Sequence, residues 1–311
     1  MDAVAGLLDG PRAREAFLLR SSMDPPWSLI VADEAPLTVI ALVRGEAWLL
    51  PAGDAQPLAL DQGDVAVVRG PEPYTVADDP ATPPQAVIHP GQRCTTIGGE
   101  ELAEQWSRGV RTWGNSPDGS TVILTGTYHL HSEVSQRLLR ALPTTLVLRE
   151  DEWDCPLIPL LADEIVKDEP GQEAVLDRLL DLLLIAVLRS WFARPDAAAP
   201  TWYRAYADPV VGHALRLLHH NPAHAWTLAE LAREVGTSRA TLARRFQELV
   251  GEPPMTFLTG WRIALAADLL REPGATIASV AQEVGYGSPF ALSTAFKRLR
   301  GVSPREHRAA S

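Results

Sequence analysis

The feature that most constrains this chain is a sequence pattern that occurs twice near its C-terminal end. The first copy reads TLAELAREVGTSRATLARRFQELVGEPP from Thr227, and the second reads TIASVAQEVGYGSPFALSTAFKRLRGVSP from Thr276. The copies align at an offset of 49 residues, which becomes 50 after one inserted residue in the middle. A match of this length is rarely due to chance, so both copies are expected to fold into the same unit.

Each copy has the residue types of two short helices joined by a tight turn. A threonine precedes apolar residues at helical spacing, and Gly236 or Gly285 follows them, where a positive φ can end a helix. The second helix is predicted to begin near Ser238 or Ser288. This arrangement is typical of a helix-turn-helix, whose second helix enters the major groove of DNA. Two ordinary helical hairpins are the alternative interpretation.

The buried positions of the two second helices match, whereas their outward faces differ. One scaffold with two different faces is expected to read two different base sequences. Arg244 is expected to read a base, and the other cations to lie nearer the phosphates. The predicted DNA-binding residues are Arg239, Ala240, Thr241, Ala243, Arg244 and Arg245 in the first copy and Phe290, Ala291, Ser293, Thr294, Lys297 and Arg298 in the second.

The segment between the copies, from Pro253 to Glu272, has prolines only at its start and predicts one long helix. About 17 helical residues at 1.5 Å each would span about 26 Å. Such a helix would hold the two second helices near one turn of DNA, about 34 Å, apart. A single chain would then read two successive segments of the major groove.

These motifs resemble the DNA-binding domain of the AraC/XylS family of bacterial transcription regulators. The runs GTSRATLARRF, WRIALAADLL and VGYGSPFALSTAFKRLRGVSPREHR carry the resemblance, which covers about 100 residues, from Pro209 to Arg308. Thr294 stands where many members have an arginine, which favours a weaker or shape-based role for the second helix over direct guanine reading. The resemblance implies base contacts from Ala240, Ala243 and Arg244 in the first helix and from Phe290, Ala291, Ser293 and Thr294 in the second.

The length of 311 residues is typical of two domains, and the charge divides between them. From Pro209 onward there are 12 Lys and Arg against 8 Asp and Glu, a net charge of +4. Residues 1–208 hold 16 against 31, a net charge of −15. Phosphate would therefore attract the C-terminal part and repel the acidic part.

Residues 15–130 are rich in short β-prone runs separated by Pro, Gly and Asp, which predicts an antiparallel sandwich or barrel. The stretch 37–80, with Gly63-Asp64-Val65 before a strand and Gly70-Pro71, resembles a cupin jelly roll over roughly 50 residues. The predicted strands are Ala16–Leu19, Trp27–Val31, Thr38–Val43, Ala47–Leu50, Pro57–Leu60, Val65–Val68, Tyr74–Val76, Gln85–Ile88 and Thr121–Leu130.

The metal ligands of enzymatic cupins are missing from this stretch. Metal cupins present a His-x-His and a Glu on one motif and another His on the next, but no His occurs here before His89. Tyr74 stands about where the last ligand would be. We therefore predict no cofactor, no oxygenase or isomerase chemistry, and a barrel able to enclose a small ligand.

A second group of potential metal ligands comprises His89, Cys94, His129 and His131. His129 and His131 are two apart at the end of a predicted strand, so they would share a face. The four residues could hold zinc, and Cys94 could form a redox pair with Cys155. The favoured interpretation is polar residues at strand ends and two buried thiols, with no metal site.

From Ser132 the apolar spacing becomes helical. A helix is predicted over SEVSQRLLRAL, a strand over TTLVLRE, and two helices within 156–194 on either side of Pro170-Gly171. The second of these, EAVLDRLLDLLLIAVLRSWFAR, is apolar nearly all round and must be covered on both sides. One side is expected to pack on the barrel and the other on a second copy of the chain, giving a homodimer. The alternative is one helix buried within its own domain.

The predicted architecture is multidomain. Residues 1–194 would form an all-β cupin-like barrel with a helical dimerisation hairpin (helical part 132–194), 195–208 a linker, and 209–311 an all-α domain with two helix-turn-helix motifs joined by a long helix. This order resembles the cupin-bearing branch of AraC-type regulators. It implies a sequence-specific transcription regulator that binds promoter DNA, contacts RNA polymerase and responds to a small ligand or chemical signal.

Two alternative functions are an atypical or metal-free cupin enzyme with a DNA-binding tail, and a constitutive DNA-binding protein without an effector. Enzymatic activity is not predicted, because the sequence lacks metal ligands, a recognisable Ser/His/Asp spacing and a phosphate-binding glycine loop. The start, MDAVAGLLDG, has no export signal, and the most apolar run, Leu182–Leu188, is far shorter than the roughly 20 residues that cross a bilayer. A cytoplasmic location without a membrane partner is expected.

Overall fold

The computed structural model describes residues 17–53, 55–128, 139, 142–153, 155–194 and 201–309. They fall into two compact units, an N-terminal unit of strands with a helical pair and a C-terminal unit of helices. The helix predicted over 132–142 lies almost entirely outside the described residues, as do His129 and His131. Within the described ranges, no helix combines the length and apolar character that crossing a membrane requires.

The predicted β-rich region is confirmed, and each predicted run coincides with a strand. The sequence missed the short β9 and β10, whose residues RCTT and TW show little apolar alternation. The strands are β1 (Phe17–Met23), β2 (Ser28–Val31), β3 (Leu37–Arg44), β4 (Ala47–Leu50), β5 (Leu58–Leu60), β6 (Val65–Arg69), β7 (Tyr74–Ala77), β8 (Ala86–His89), β9 (Arg93–Thr96), β10 (Thr112–Trp113), β11 (Thr121–Tyr128) and β12 (Thr145–Leu148).

The strands form two six-stranded sheets, in the orders β10-β1-β11-β3-β6-β12 and β5-β4-β7-β2-β8-β9. Most neighbours are antiparallel, and the pairs β1/β10 and β2/β8 are parallel. Apolar side chains from both sheets form one core between them, including Leu29 and Leu49 from one sheet and Ile40 and Ile123 from the other. Alternation along each strand puts every second side chain into this core.

Two helices, α1 (Leu157–Ile165) and α2 (Gln172–Ala193), follow the last strand. Gly126 of β11 leaves room for Leu180 of α2, because a Cβ at Gly126 would lie 2.4 Å from Leu180 Cδ2. The buried Tyr128 hydroxyl donates to the Leu180 carbonyl at 2.8 Å. One face of α2 is thus held on the sheet, which agrees with the predicted burial of one side.

The C-terminal unit consists, over the described residues, of eight helices. They are α3 (Thr201–Ala205), α4 (Val211–His220), α5 (Leu228–Glu234), α6 (Arg239–Val250), α7 (Pro254–Leu269), α8 (Ile277–Glu283), α9 (Pro289–Arg300) and α10 (Pro304–Ala309). The long helix expected between the repeats corresponds to α7, which has 16 residues.

The linker predicted over 195–208 needs correction in its second half. Thr201–Ala205 is helical, and Thr201 Oγ1 donates to the Val250 carbonyl at 3.0 Å. Ala205 is fully buried in the core around α4, α5 and α6. The Ala- and Pro-rich composition suggested a linker, but small and aromatic side chains in this segment complete the core of the first repeat.

Each repeat has its own core, as its matched apolar positions predict. Around the first, α5 and α6 bury Leu231, Ala232, Leu242 and Phe246 together with apolar residues of α4. Around the second, α8 and α9 bury the equivalent positions against the C-terminal half of α7. Both repeats are therefore helix-turn-helix units with an independent hydrophobic centre.

Candidate nucleic-acid interface

Hydroxyl side chains cap the helices of both helix-turn-helix units. Thr227 and Thr276 precede α5 and α8, and Ser238 and Ser288 precede α6 and α9. Each hydroxyl accepts a hydrogen bond of 3.0 to 3.2 Å from the backbone N–H three residues later. Such a bond satisfies one N–H group that a helix end leaves free. The predicted starts of both recognition helices, α6 and α9, are thereby confirmed.

Arg262 of α7 links the two helix-turn-helix units of the C-terminal part. Its Nε donates to the Pro222 carbonyl and its Nη2 to the His224 carbonyl, both at 2.7 Å. The same guanidinium lies over the ring of Tyr286, 5.9 Å from its centroid. Pro222 and His224 lie in the loop that leads into the first helix-turn-helix unit, and Tyr286 lies in the turn of the second. One side chain thus links that loop to the second unit.

The turn of the second unit approaches the same loop closely. Gly285 has a φ of +81°, and a Cβ there would lie 2.5 Å from the Ala223 carbonyl oxygen. Gly236, its counterpart in the first unit, also has a positive φ of +69° but meets no atom within 4 Å. A side chain at Gly285 would therefore disturb the contact between the units as well as the turn.

Most of the predicted DNA-binding residues lie at the surface of the C-terminal unit, in agreement with the predicted outward faces. Positions three and four residues apart on a helix lie on one face, so each recognition helix has one continuous exposed surface. The exposed residues are Arg239, Ala240, Arg244, Phe290, Ala291, Thr294, Lys297 and Arg298, and the half-buried ones are Thr241, Ala243, Arg245 and Ser293.

Arg244 is exposed and paired along its own helix. Its Nη1 donates to both carboxylate oxygens of Glu248, at 2.9 and 3.0 Å. An exposed pair of this kind contributes only a few tenths of a kcal/mol. The carboxylate therefore holds the guanidinium on the outward face, and little free energy is needed to separate the pair.

Arg245 differs from the prediction that placed it near phosphates. Its Nη2 donates to the carboxylate of Asp208, whose other oxygen accepts from the backbone N–H groups of Val210 and Val211 at 3.0 and 2.9 Å. Arg245 thus ties α6 to the start of α4. The sequence could not show this ion pair, because the partners are 37 residues apart and meet only when the helices pack.

The second recognition helix carries no cation in its first two turns. Phe290 is 82% exposed, and the hydroxyls of Ser293 and Thr294 donate back to carbonyls of their own helix. Lys297 and Arg298 follow one turn later and are both exposed. The two recognition helices therefore present different chemistry.

The N-terminal unit contains a small cavity between its sheets. Its volume is about 30 Å³, room for roughly two water molecules. Leu29, Ile40 and Ile123 contribute apolar walls. The hydroxyls of Tyr74 and Thr127, also in the lining, are buried without a hydrogen bond of normal geometry. Burial raises the pKa of Tyr74, although Thr38 lies near its hydroxyl. The lining is mostly apolar but also includes Asp33, so the cavity suits a small ligand that is not an anion.

The zinc and redox candidates do not form a site among the described residues. No three metal-ligating side chains there lie together. His89 Nε2 is 3.0 Å from Thr95 Oγ1, and neither Cys94 nor Cys155 is in a disulfide. Burial, with a smaller contribution from Glu101, raises the pKa of Cys94 to about 11. This disfavours the thiolate that redox chemistry requires.

Two functional residues were missed by the sequence analysis. Arg262 and Asp208 position the interface without belonging to either outward face. Arg262 offered a signal, because it is the one charged residue between Pro253 and Ala267, and a cation within an otherwise uncharged helix needs buried partners. Asp208 offered none, because an Asp before Pro is common in loops.

Comparisons with known proteins agree with this division of the chain. Residues 2–193 match the family model described as Cupin, and residues 231–310 match the one described as Helix-turn-helix domain. The first match spans more than half of the chain, in the unit where the strands lie. The second spans most of both helix-turn-helix units.

Relatives align along most of the sequence. A putative AraC-like transcription regulator of Streptomyces antibioticus is 33% identical over 289 residues, 91% of this chain and 90% of the relative. The HTH-type transcriptional regulator AlkR of Acinetobacter baylyi is 26% identical over 100% of both chains. A solved structure, the DNA-binding domain of AdpA in complex with a target DNA, is 34% identical, covers 33% of this chain and 92% of that one, and has a TM-score of 0.31. With a Cupin match over more than half of the chain, two helix-turn-helix units and the similarity to the Streptomyces antibioticus regulator, the chain belongs to the family of AraC-like transcription regulators.

Proposed function

We propose that this regulator binds promoter DNA by placing α6 and α9 in successive segments of the major groove. The observation that carries the proposal is the pairing of two exposed recognition faces on units that Arg262 holds together. Charge supports it, since the chain from Pro209 onward is net positive while the rest is strongly acidic. Backbone phosphates attract such a module without regard to sequence, and the two faces supply the specificity.

Within this proposal the residues divide into three roles. Arg244 reads a base, Arg239, Lys297 and Arg298 contact phosphates, and Arg245 supports the helix through its ion pair with Asp208. The α7 helix spaces the two recognition helices by about one turn of DNA, about 34 Å. DNA binding is assigned to 209–311, with the packed helix α3 added to that domain.

Residues 1–194 are proposed to sense a signal and to form a homodimer. The cavity between the sheets is the proposed effector site, and its mostly apolar walls with Asp33 favour a small molecule that is not an anion. At about 30 Å³ the cavity must widen to admit anything larger than a few atoms, which gives a binding event a way to change the barrel. Contact with RNA polymerase is proposed from family membership alone.

The dimer is proposed to form through 156–194. The helical pair leaves four large apolar side chains exposed, Leu160, Val166, Val175 and Leu182. Single exposed apolar residues are ordinary, but three on two adjacent helices, with Val166 directly after the first, support an interaction surface. A second copy of the chain would cover them, since α2 already uses its opposite face on the sheet.

Selection of bound sequences tests the DNA-binding proposal. The full chain is incubated with a pool of random duplexes and excess competitor DNA, and bound duplexes are sequenced. We expect a motif with two half-sites about one helical turn apart. Arg244→Ala should lose about 1 to 3 kcal/mol and relax the preference at one base position, whereas Glu248→Gln should retain that preference. Recovery of random sequence, or a uniform loss across all sequences with Arg244→Ala, would contradict the assignment.

A further inference from the structure

The two recognition helices differ at a pair of equivalent positions. At the repeat offset of 50 residues, Ala240 and Arg244 of α6 correspond to Phe290 and Thr294 of α9. Residues four apart lie on the same face of a helix. At these two positions α6 has a small residue and a long cation, whereas α9 has a large apolar ring and a short hydroxyl side chain.

The Phe290 ring has no part in the core. It is 82% exposed, more than any other large apolar side chain of the described residues, while α9 buries Leu292, Ala295 and Phe296. Exposure of a ring this large on the outward face of a recognition helix indicates a surface for binding. The cations Lys297 and Arg298 lie on the next turn and make the edge of that surface positively charged, which favours contact with DNA.

The hydroxyls beside the ring are already committed as donors. Ser293 Oγ donates to the Pro289 carbonyl at 2.8 Å, and Thr294 Oγ1 donates to the Phe290 carbonyl at 2.9 Å. Guanine shows only acceptors, N7 and O6, in the major groove. Residues 289–295 contain no other side-chain donor that could bond to these guanine acceptors. At the equivalent position of α6, Arg244 has several donors.

An A·T pair fits this face. Thymine presents a 5-methyl group that apolar side chains contact in the major groove, and the adenine paired with it has an N6 amino group that can donate to the Thr294 oxygen. We infer that α9 reads the thymine methyl group, with Phe290 as the specificity-determining residue, while α6 reads guanine through Arg244. The inference rests on the proposed function, and it makes the operator asymmetric, with one half-site marked by G·C and the other by A·T.

Removal of a single methyl group tests the inference. The duplex recovered by selection with the full chain is prepared with deoxyuridine in place of the conserved thymine, which removes only the 5-methyl group. Loss of one buried methyl should weaken binding about three- to tenfold. Phe290→Ala should bind the two duplexes equally, and Phe290→Leu, which keeps an apolar side chain, should restore part of the difference.

The controls separate this inference from the proposed function. Deoxyuridine in the G·C-marked half-site should leave binding unchanged, and circular dichroism should show that Phe290→Ala remains folded, because the ring is exposed. Equal binding of both duplexes by the wild type, or a conserved guanine contacted by α9, would overturn the inference and leave the proposed function standing. Absence of any sequence preference would overturn both.

Discussion

Arg262 Nε lies 2.7 Å from the carbonyl oxygen of Pro222, so the helix between the two recognition units is bonded to the loop that precedes the first. The same guanidinium donates a second hydrogen bond, to the His224 carbonyl, and the two bonds form a fork to this loop. The ring of Tyr286 beneath the guanidinium brings in the turn of the second unit. The spacing of the two DNA-reading helices thus depends on a side chain that touches neither outward face.

Replacement of Arg262 by Ala is expected to loosen the packing between the two helix-turn-helix units. The loss of both bonds should cost about 1 to 3 kcal/mol of unfolding free energy, since it leaves two carbonyls without these donors. Binding to a duplex with both half-sites should weaken more than binding to a duplex with one, as measured by fluorescence anisotropy. Arg262→Lys keeps the charge but cannot form the fork, so it should show the same trend. Wild-type affinity of Arg262→Ala for the two-half-site duplex would refute the coupling.

The Asp208 carboxylate should make the C-terminal unit sensitive to acid. Burial opposes its ionisation, but hydrogen bonds from Val211, Val210 and Arg245 outweigh burial and lower its pKa. A group whose pKa is lowered by folding stabilises the protein above its unfolded value, about 3.9, and that stability is lost as the pH falls through the folded pKa.

Asp208→Asn should therefore lower the unfolding free energy by about 1 kcal/mol at neutral pH. The difference from the wild type should shrink as the pH is lowered below about 4. Urea unfolding followed by hydrogen exchange of the α4 amides measures this unit separately from the barrel. The matched control, Glu283→Gln, replaces an exposed carboxylate and should change little. A difference that stays constant down to strongly acidic pH would argue against the ionised carboxylate as the source.

A charge on the exposed face of α2 should break the proposed dimer. Leu182 is 50% exposed, so Leu182→Asp should fold normally while placing a carboxylate in an apolar interface. Light scattering at micromolar concentration should show a wild-type dimer and a Leu182→Asp monomer. Ile97→Asp, at a position of the same unit that is 56% exposed, should remain dimeric. A wild-type monomer, or a dimeric Leu182→Asp, would remove 156–194 as the interface.

Cys94 should react slowly with alkylating reagents at neutral pH. Burial and Glu101 raise its pKa to about 11, and the thiolate is the reactive form. In a Cys155→Ser background, which leaves one thiol, the rate of iodoacetamide labelling should rise with pH toward a midpoint near 11. Rapid labelling at neutral pH, with a midpoint near the ordinary cysteine pKa of about 8.5, would restore Cys94 as a redox candidate.

The fold was predictable where its causes are local. Short β-prone runs such as Val65–Val68 marked the strands, and Ser238 and Ser288 marked the helix starts, because strand propensity and capping act within a few residues. The strand β9 was not predicted, because its residues show no strand pattern and it is stabilised by pairing with β8 in the sheet. The helix α3 was not predicted, because it is stabilised by packing into a core formed by other helices and not by its own composition.

The sequence by itself determined that the C-terminal part holds two copies of one DNA-reading unit, since a repeat and its apolar spacing are visible in one dimension. Only the tertiary structure decided which arginine remains on the outward face. Arg244 and Arg245 are neighbours, yet the first pairs with Glu248 on its own helix and the second with Asp208, 37 residues away. Packing brings that distant carboxylate beside one of them alone, and partners so far apart in sequence leave no local pattern.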